Sequence, residues 1–447
     1  MTAIAVREKS VRAVAPAGRG TYLVAVAWTF LAAVPVPGGG ITYRFGLVLG
    51  IALFPLMWRS WVSVGAMRWV VGVAFLTTAF GLFVGIVLRD VDQPWSFALL
   101  ASALAQMATI LVTGIGLLWA IRVIGARTAI VFYAFGLIVA ALLTSTRFAD
   151  NPWKFGLALP VSLIVLALFG AGRKWVTVFL LVFLVGLSIV LETRSWMIVV
   201  VGALTVYLLF HGRAARWSAV RKTVVVVFSL AAIIIFGEVV SNLGASGALG
   251  AYIQDRTLRS LETSGNAVIG NREEWGGALA LFQARPLGIG TGVGPSTADF
   301  NTVVNGLFLP DALKPKSNVA DSLREGYFSF HSGMWNIFSQ FAVAGLVFVV
   351  FIMMLLGRGI VEMLTEARDT VAPGPRAAAV VLMVAVTWDL LFSPLSPWNV
   401  GAAIAVAVSV LPGGPLVGVR RTTGDSSDFA VSSGLIPPSS PRPRVDR

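Results

Sequence analysis

The chain has 447 residues, of which 57% are hydrophobic and only 12% charged, with a mean hydropathy of +0.84. Soluble domains carry roughly 25% charged residues, so a water-soluble enzyme is excluded, and the absence of cysteine excludes disulfides and thiolate metal sites. A net charge of +13 would suit nucleic-acid binding, but the basic residues collect in loops between apolar runs, where they orient a membrane protein; no nucleic-acid partner is expected.

The expected fold class is an all-α polytopic membrane protein of about 12 transmembrane helices. Residues 1–20 read as a basic cytoplasmic tail without the apolar core and cleavage site of a signal peptide. Residues 21–240 hold nine apolar runs near the length that crosses a bilayer: about 21–36, 41–58, 69–88, 96–121, 128–143, 155–170, 176–191, 196–210 and 223–240. A large extracytoplasmic loop with short helices follows over 241–333. Residues 334–411 supply spans ten to twelve, at about 335–356, 377–392 and 398–411. The Pro-, Ser- and Arg-rich tail 412–447 has too little apolar surface to fold.

Charge counting sets the direction. With both termini inside, cytoplasmic segments carry 22 Lys and Arg, whereas the short outer loops carry four: Arg89, Arg147, Lys154 and Arg194. The long loop is left out because long loops cross largely regardless of charge. The expected location is the plasma (inner) membrane, with membrane lipids as surroundings.

Chemistry-bearing groups concentrate at the expected outer level. His331, one of two histidines, sits where the loop becomes span ten, and an imidazole accepts a proton near neutrality. Ser332, Asn336 and Gln340 follow at four-residue spacing on one helical face, a stripe that should face protein or water rather than lipid. Arg194 lies in a tight turn between two spans. Arg272 opens NREEW and Arg285 precedes PLGIG, while Arg44, Arg147 and Lys154 belong to the same level. Guanidinium forks suit phosphate oxygens. Trp275–Phe282 reads as a short amphipathic helix along the membrane surface. GIGTGVG does not match a nucleotide-binding spacing and reads as a tight loop that lets backbone approach a neighbour or ligand. His211 reads as a solvated group in a basic inner loop. Asp389 and Glu238, near the outer ends of spans, suit a salt bridge or a functional acid equally.

The stretches LETRSW, NREEWGGALALFQARPLGIGTG and FHSGMWNIFSQFAVAGL resemble the O-antigen ligase and O-antigen polymerase superfamily over about residues 190–350. That family typically has His-Asn where this chain has His331–Ser332, and Asn336 is the residue placed to substitute. The resemblance implies transfer of a glycan from a polyprenyl pyrophosphate-linked donor to a glycan, lipid or protein acceptor, with no cofactor and no metal. It assigns Arg194 and Arg272 to the pyrophosphate and His331 to the acceptor, with Arg285, Arg44, Arg147, Lys154, Asn336 and Gln340 as substrate-binding candidates. The alternatives are a secondary transporter, which would need charge near mid-membrane, and a structural membrane subunit.

Overall fold

The structure is a computed structural model. It describes the chain apart from residues 1–17, 37–42, 146–147, 171–173, 192, 211–217, 219–238, 240–241, 249, 251–253, 256, 259–260, 262–273, 310–311, 369 and 417–447, and gives only the backbone of Arg194, Lys316 and Arg368. Arg147, Arg272, His211, Glu238, most of span nine and most of both tails therefore lie outside the described residues.

The described residues are helical, with isolated bridge pairs in place of strands. Helices α1 (Arg19–Leu31), α2 (Phe45–Ala52), α3 (Phe54–Val62), α4 (Gly65–Val87), α5 (Phe97–Ile124) and α6 (Ala126–Thr144) come first. A π-turn at Trp153–Leu157 leads into α7 (Ala158–Phe169), followed by α8 (Lys174–Val190) and α9 (Arg194–Phe210). The loop region contributes α10 (Glu274–Ala284), α11 (Thr297–Gly306) and α12 (Asn318–Arg324). Then come α13 (Gly333–Thr365), α14 (Pro373–Phe392) and α15 (Pro397–Ser409). Five of these are long and apolar enough to cross a membrane, or six if the α2–α3 pair is one span; α8, α9, α15 and the run Trp153–Phe169 are shorter apolar helices. Trp69, Phe75 and Leu76 of α4 point outward from the bundle, as side chains facing lipid do.

The expected second span is not straight. Its halves meet at 85°, because Pro55 lacks the N–H that would continue the ladder and its ring crowds the preceding turn. At about 12 Å for eight residues, α2 alone is far short of a hydrocarbon core of ~30 Å.

Helix α13 also breaks, at Phe341–Ala342, where Ala342 takes φ 59°. No proline or glycine marks the spot. The glycine loop explains it: Val343 N–H donates to Leu287 O at 2.9 Å and Thr291 Oγ1 donates to Gln340 O at 2.8 Å, so the loop takes over groups the broken helix leaves open. The same loop reaches α4, with Thr291 N–H bonded to Gly81 O at 2.9 Å. Gly288, Gly290 and Gly292 all have positive φ. A Cβ at Gly290 would lie 2.4 Å from the backbone nitrogen of Gly85. Gly290→Ala should therefore lower stability by about 3 kcal/mol, since overpacking and left-handed strain add; an unchanged thermal midpoint would show that loop and α4 do not need this approach.

The loop helices build their own core from Leu281, Val303, Val319, Phe330 and the first turns of α13. The expected short helix is present as α10. Its Gly276, Gly277, Ala278 and Leu281 are buried, because two consecutive glycines let it approach α11 and Phe308 closely.

Candidate functional site

A cavity of about 480 Å³ opens where the start of α9, the end of α14, the start of α15, the π-turn and α6 converge. Arg44 and Lys154 line it, as do Thr193 and Ser195, the neighbours of Arg194. Asp389, Asn399 and the indoles of Trp196, Trp388 and Trp398 complete its polar and aromatic wall.

Arg44 is 2% exposed. Its guanidinium stands 3.7 Å over the Trp398 ring, yet Nε and Nη1 have no hydrogen-bond partner and, among the described residues, no carboxylate pairs with it. A buried cation without a counter-ion is costly, so its retention beside a cavity points to an anion supplied from outside. Close by, Tyr133 Oη donates to Asn399 Oδ1 at 2.8 Å and holds the start of α15 in place.

The Arg194 turn is fixed by its surroundings. Thr193 N–H bonds Ser188 O and Thr193 Oγ1 donates to Leu191 O. Asn151 links this turn to the Lys154 segment: Nδ2 donates to Leu191 O at 2.9 Å while Oδ1 accepts from Lys154 N–H at 2.9 Å.

His331 stands two residues before α13. Its Nδ1 lies 2.8 Å from Glu274 Oε1, and Glu274 is largely buried at the start of α10. Two residues on, Gly333 packs against Asp389 O and the Leu390 backbone, and Ser332 Oγ donates to Leu390 O at 3.4 Å. Trp275 stacks on Phe392 with centroids 5.6 Å apart, and Phe392 touches Trp388 of the cavity wall. The imidazole–carboxylate pair is thus anchored to the helix end that carries Asp389.

Two expected substrate contacts are spent on structure. Arg285 pairs through Nη1 with Asp90 at 2.5 Å and through Nε with Asp299, at the far end of α10 and about 16 Å along it from Glu274. Asn336 closes on Phe330: its Nδ2 donates to Phe330 O and its Oδ1 accepts from Phe330 N–H, both at 2.7 Å, so it shapes the turn around His331. Gln340 lines a second, smaller cavity. Glu274, Trp398 and Asn399 are missing from the sequence expectations. An asparagine in an otherwise apolar span was the available signal for the last.

Asp299 gives the loop unit a pH dependence. Burial alone would raise its carboxyl, but bonds from the Ser296 backbone, Gln93, Arg285 and the Ser296 hydroxyl together hold it below the ordinary carboxylate range. The same pair of carboxylates raises Arg285 despite its burial. A depressed folded-state carboxyl stabilises above its unfolded value and loses that contribution as pH falls through the folded value. Hydrogen exchange in α10 and α11 should therefore accelerate on acidification below about pH 4, and Asp299→Asn should remove that step; an identical pH profile in the variant would contradict it.

Compared with known proteins, the chain matches no family model, and no curated sequence matches it. Among the described residues no group of three or more metal-ligating side chains is found.

Proposed function

We propose that this membrane protein transfers or polymerises a glycan, taking it from a polyprenyl pyrophosphate carrier at the outer face of the membrane and joining it to an acceptor hydroxyl. The observation that carries the reading is Arg44, buried, without a carboxylate partner among the described residues and facing a cavity shared with Lys154 and the Arg194 turn. Fixed cations in a partly dehydrated site bind a diphosphate and stabilise the charge it gains as a leaving group. Arg272, as the O-antigen ligase and polymerase resemblance implies, belongs to the same anion.

In the reaction, the acceptor oxygen attacks the anomeric carbon and the bond from that carbon to the pyrophosphate oxygen breaks. The electron pair leaves with the lipid pyrophosphate, and the hydroxyl proton passes to His331. Glu274 Oε1 lies 2.8 Å from Nδ1, and a carboxylate there favours the tautomer protonated at Nδ1, which puts the accepting lone pair on Nε2. The carboxylate also stabilises the imidazolium that forms.

Reconstitution in vesicles with a polyprenyl pyrophosphate glycan tests the proposal. It requires a larger glycan product together with released lipid pyrophosphate. Accumulation of a solute inside protein-containing vesicles, with donor untouched in the presence of glycan, lipid and peptide acceptors, would favour a transporter instead.

A further inference from the structure

A second cavity, of about 280 Å³, lies between the start of α5, the glycine loop, the 327–328 segment and the turn before the α13 break. Its wall differs in kind from that of the first: Ser102, Tyr327, Phe328, Ser339 and Gln340 line it with apolar residues and glycine backbone, and no charged side chain does. The side-chain amide of Gln340 makes no hydrogen bond among the described residues, and its Oε1 is buried without a partner. The peptide N–H groups of Gly290 and Gly292 likewise have no protein partner there. Polar backbone and amide groups left open in a recess are a cost unless something else satisfies them.

The geometry points to a neutral-saccharide subsite here, formed by the Tyr327 and Phe328 rings beside the Gln340 amide and the Gly290–Gly292 backbone, which holds the acceptor glycan. An aromatic surface with a few fixed hydrogen-bonding groups and no net charge suits a sugar ring, which offers C–H faces and hydroxyl edges but no ion. Phe328 is three residues before His331, at most about 11 Å of chain, and Asn336 fixes the turn between them. The two cavities thus offer the charged and the uncharged reactant different walls. Gln340 sits next to the strained Phe341–Ala342 break, so the loop contacts that hold the break open also keep the recess open.

This inference rests on the proposed glycan transfer, but its test does not use turnover. Equilibrium dialysis of the detergent-solubilised protein with labelled neutral trisaccharides (maltotriose, mannotriose, cellotriose and galactotriose) measures the subsite alone. At least one should bind in the millimolar range. Tyr327→Ala, at an exposed position, and Gln340→Ala should each weaken it about tenfold, the loss of one stacked ring or one hydrogen-bonding amide. Lys154→Ala, in the other cavity, should leave it unchanged. The inference is overturned if no trisaccharide binds, if both wall variants bind like the parent, or if binding is abolished by raising the concentration of an alkyl-chain detergent while the fold is retained, which would make the recess a lipid-chain site. Donor turnover that persists alongside a negative result here would remove this subsite and leave the transfer reaction standing.

Discussion

Replacing Arg44 with methionine is expected to lower glycan transfer by about 10²–10³-fold, the range for removing a fixed group that stabilises developing charge, while thermal stability stays the same or rises. The two halves of that result come from one observation. A structural arginine is paired, and truncating it strands its partner; Arg285, with Asp90 and Asp299, is such a case in this chain. Among the described residues Arg44 has no carboxylate to strand. Its burial is offset only in part by the stack on Trp398, and an apolar side chain of similar length keeps contact with that ring while removing the cost of the buried charge. Loss of transfer together with a lowered melting temperature would make Arg44 a packing residue. Unchanged transfer would remove it from the anion site. Arg44→Lys should rescue only part of the activity, since a point charge replaces neither the planar fork nor the stack on the indole.

The second large effect is expected at the imidazole. His331→Ala should reduce transfer about 10²–10⁴-fold, the usual range for a general base, without weakening retention of the lipid pyrophosphate, because the cations are untouched. Glu274→Gln separates the two members of the pair. An amide at 2.8 Å from Nδ1 keeps the shape of the side chain but no longer stabilises an imidazolium, so the rate should fall, though less than in the histidine variant. A Glu274→Gln rate equal to the parent's would show that the carboxylate plays no part in the transfer. The neighbouring Trp275, on the Phe392 ring, should be more sensitive to folding than to pH.

Much of the bundle was legible because hydropathy depends on length: a run long enough to cross a bilayer is visible without knowing its neighbours. Each expected span that is described overlaps a helix, and five or six of these are long and apolar enough to cross a membrane. Direction was less legible. Residues 45–58 form a continuous apolar run, and only Pro55 betrays the 85° turn. The break in α13 left no local mark at all, since Phe341 and Ala342 are unremarkable helix residues; its cause, the glycine loop, lies some fifty positions upstream. Similarly, Arg285 passed for a substrate group because its partners are remote or turned away in sequence: Asp90 is 195 positions off. Glu274 lies 57 positions before His331, so nothing local marked the two as neighbours. The cationic cavity was anticipated in its residue types but not in its aromatic wall, because the stacking of Trp398 on Arg44 joins chain positions more than 350 apart. Nothing local encodes such pairings, so electrostatic level is readable from a sequence while pairing is not.

The central proposal is that a lipid diphosphate seats in the cavity of Arg44 and Lys154 at the Arg194 turn. It is tested most directly by photolabelling the membrane-embedded protein with a diazirine-bearing polyprenyl pyrophosphate and mapping the modified peptides. The account predicts labels on segments that line the cavity, around Trp196, Trp388 and Trp398, suppressed by excess inorganic pyrophosphate and by Arg44→Met. Labels spread over the outward faces of α4 and α8, indifferent to both, would contradict it.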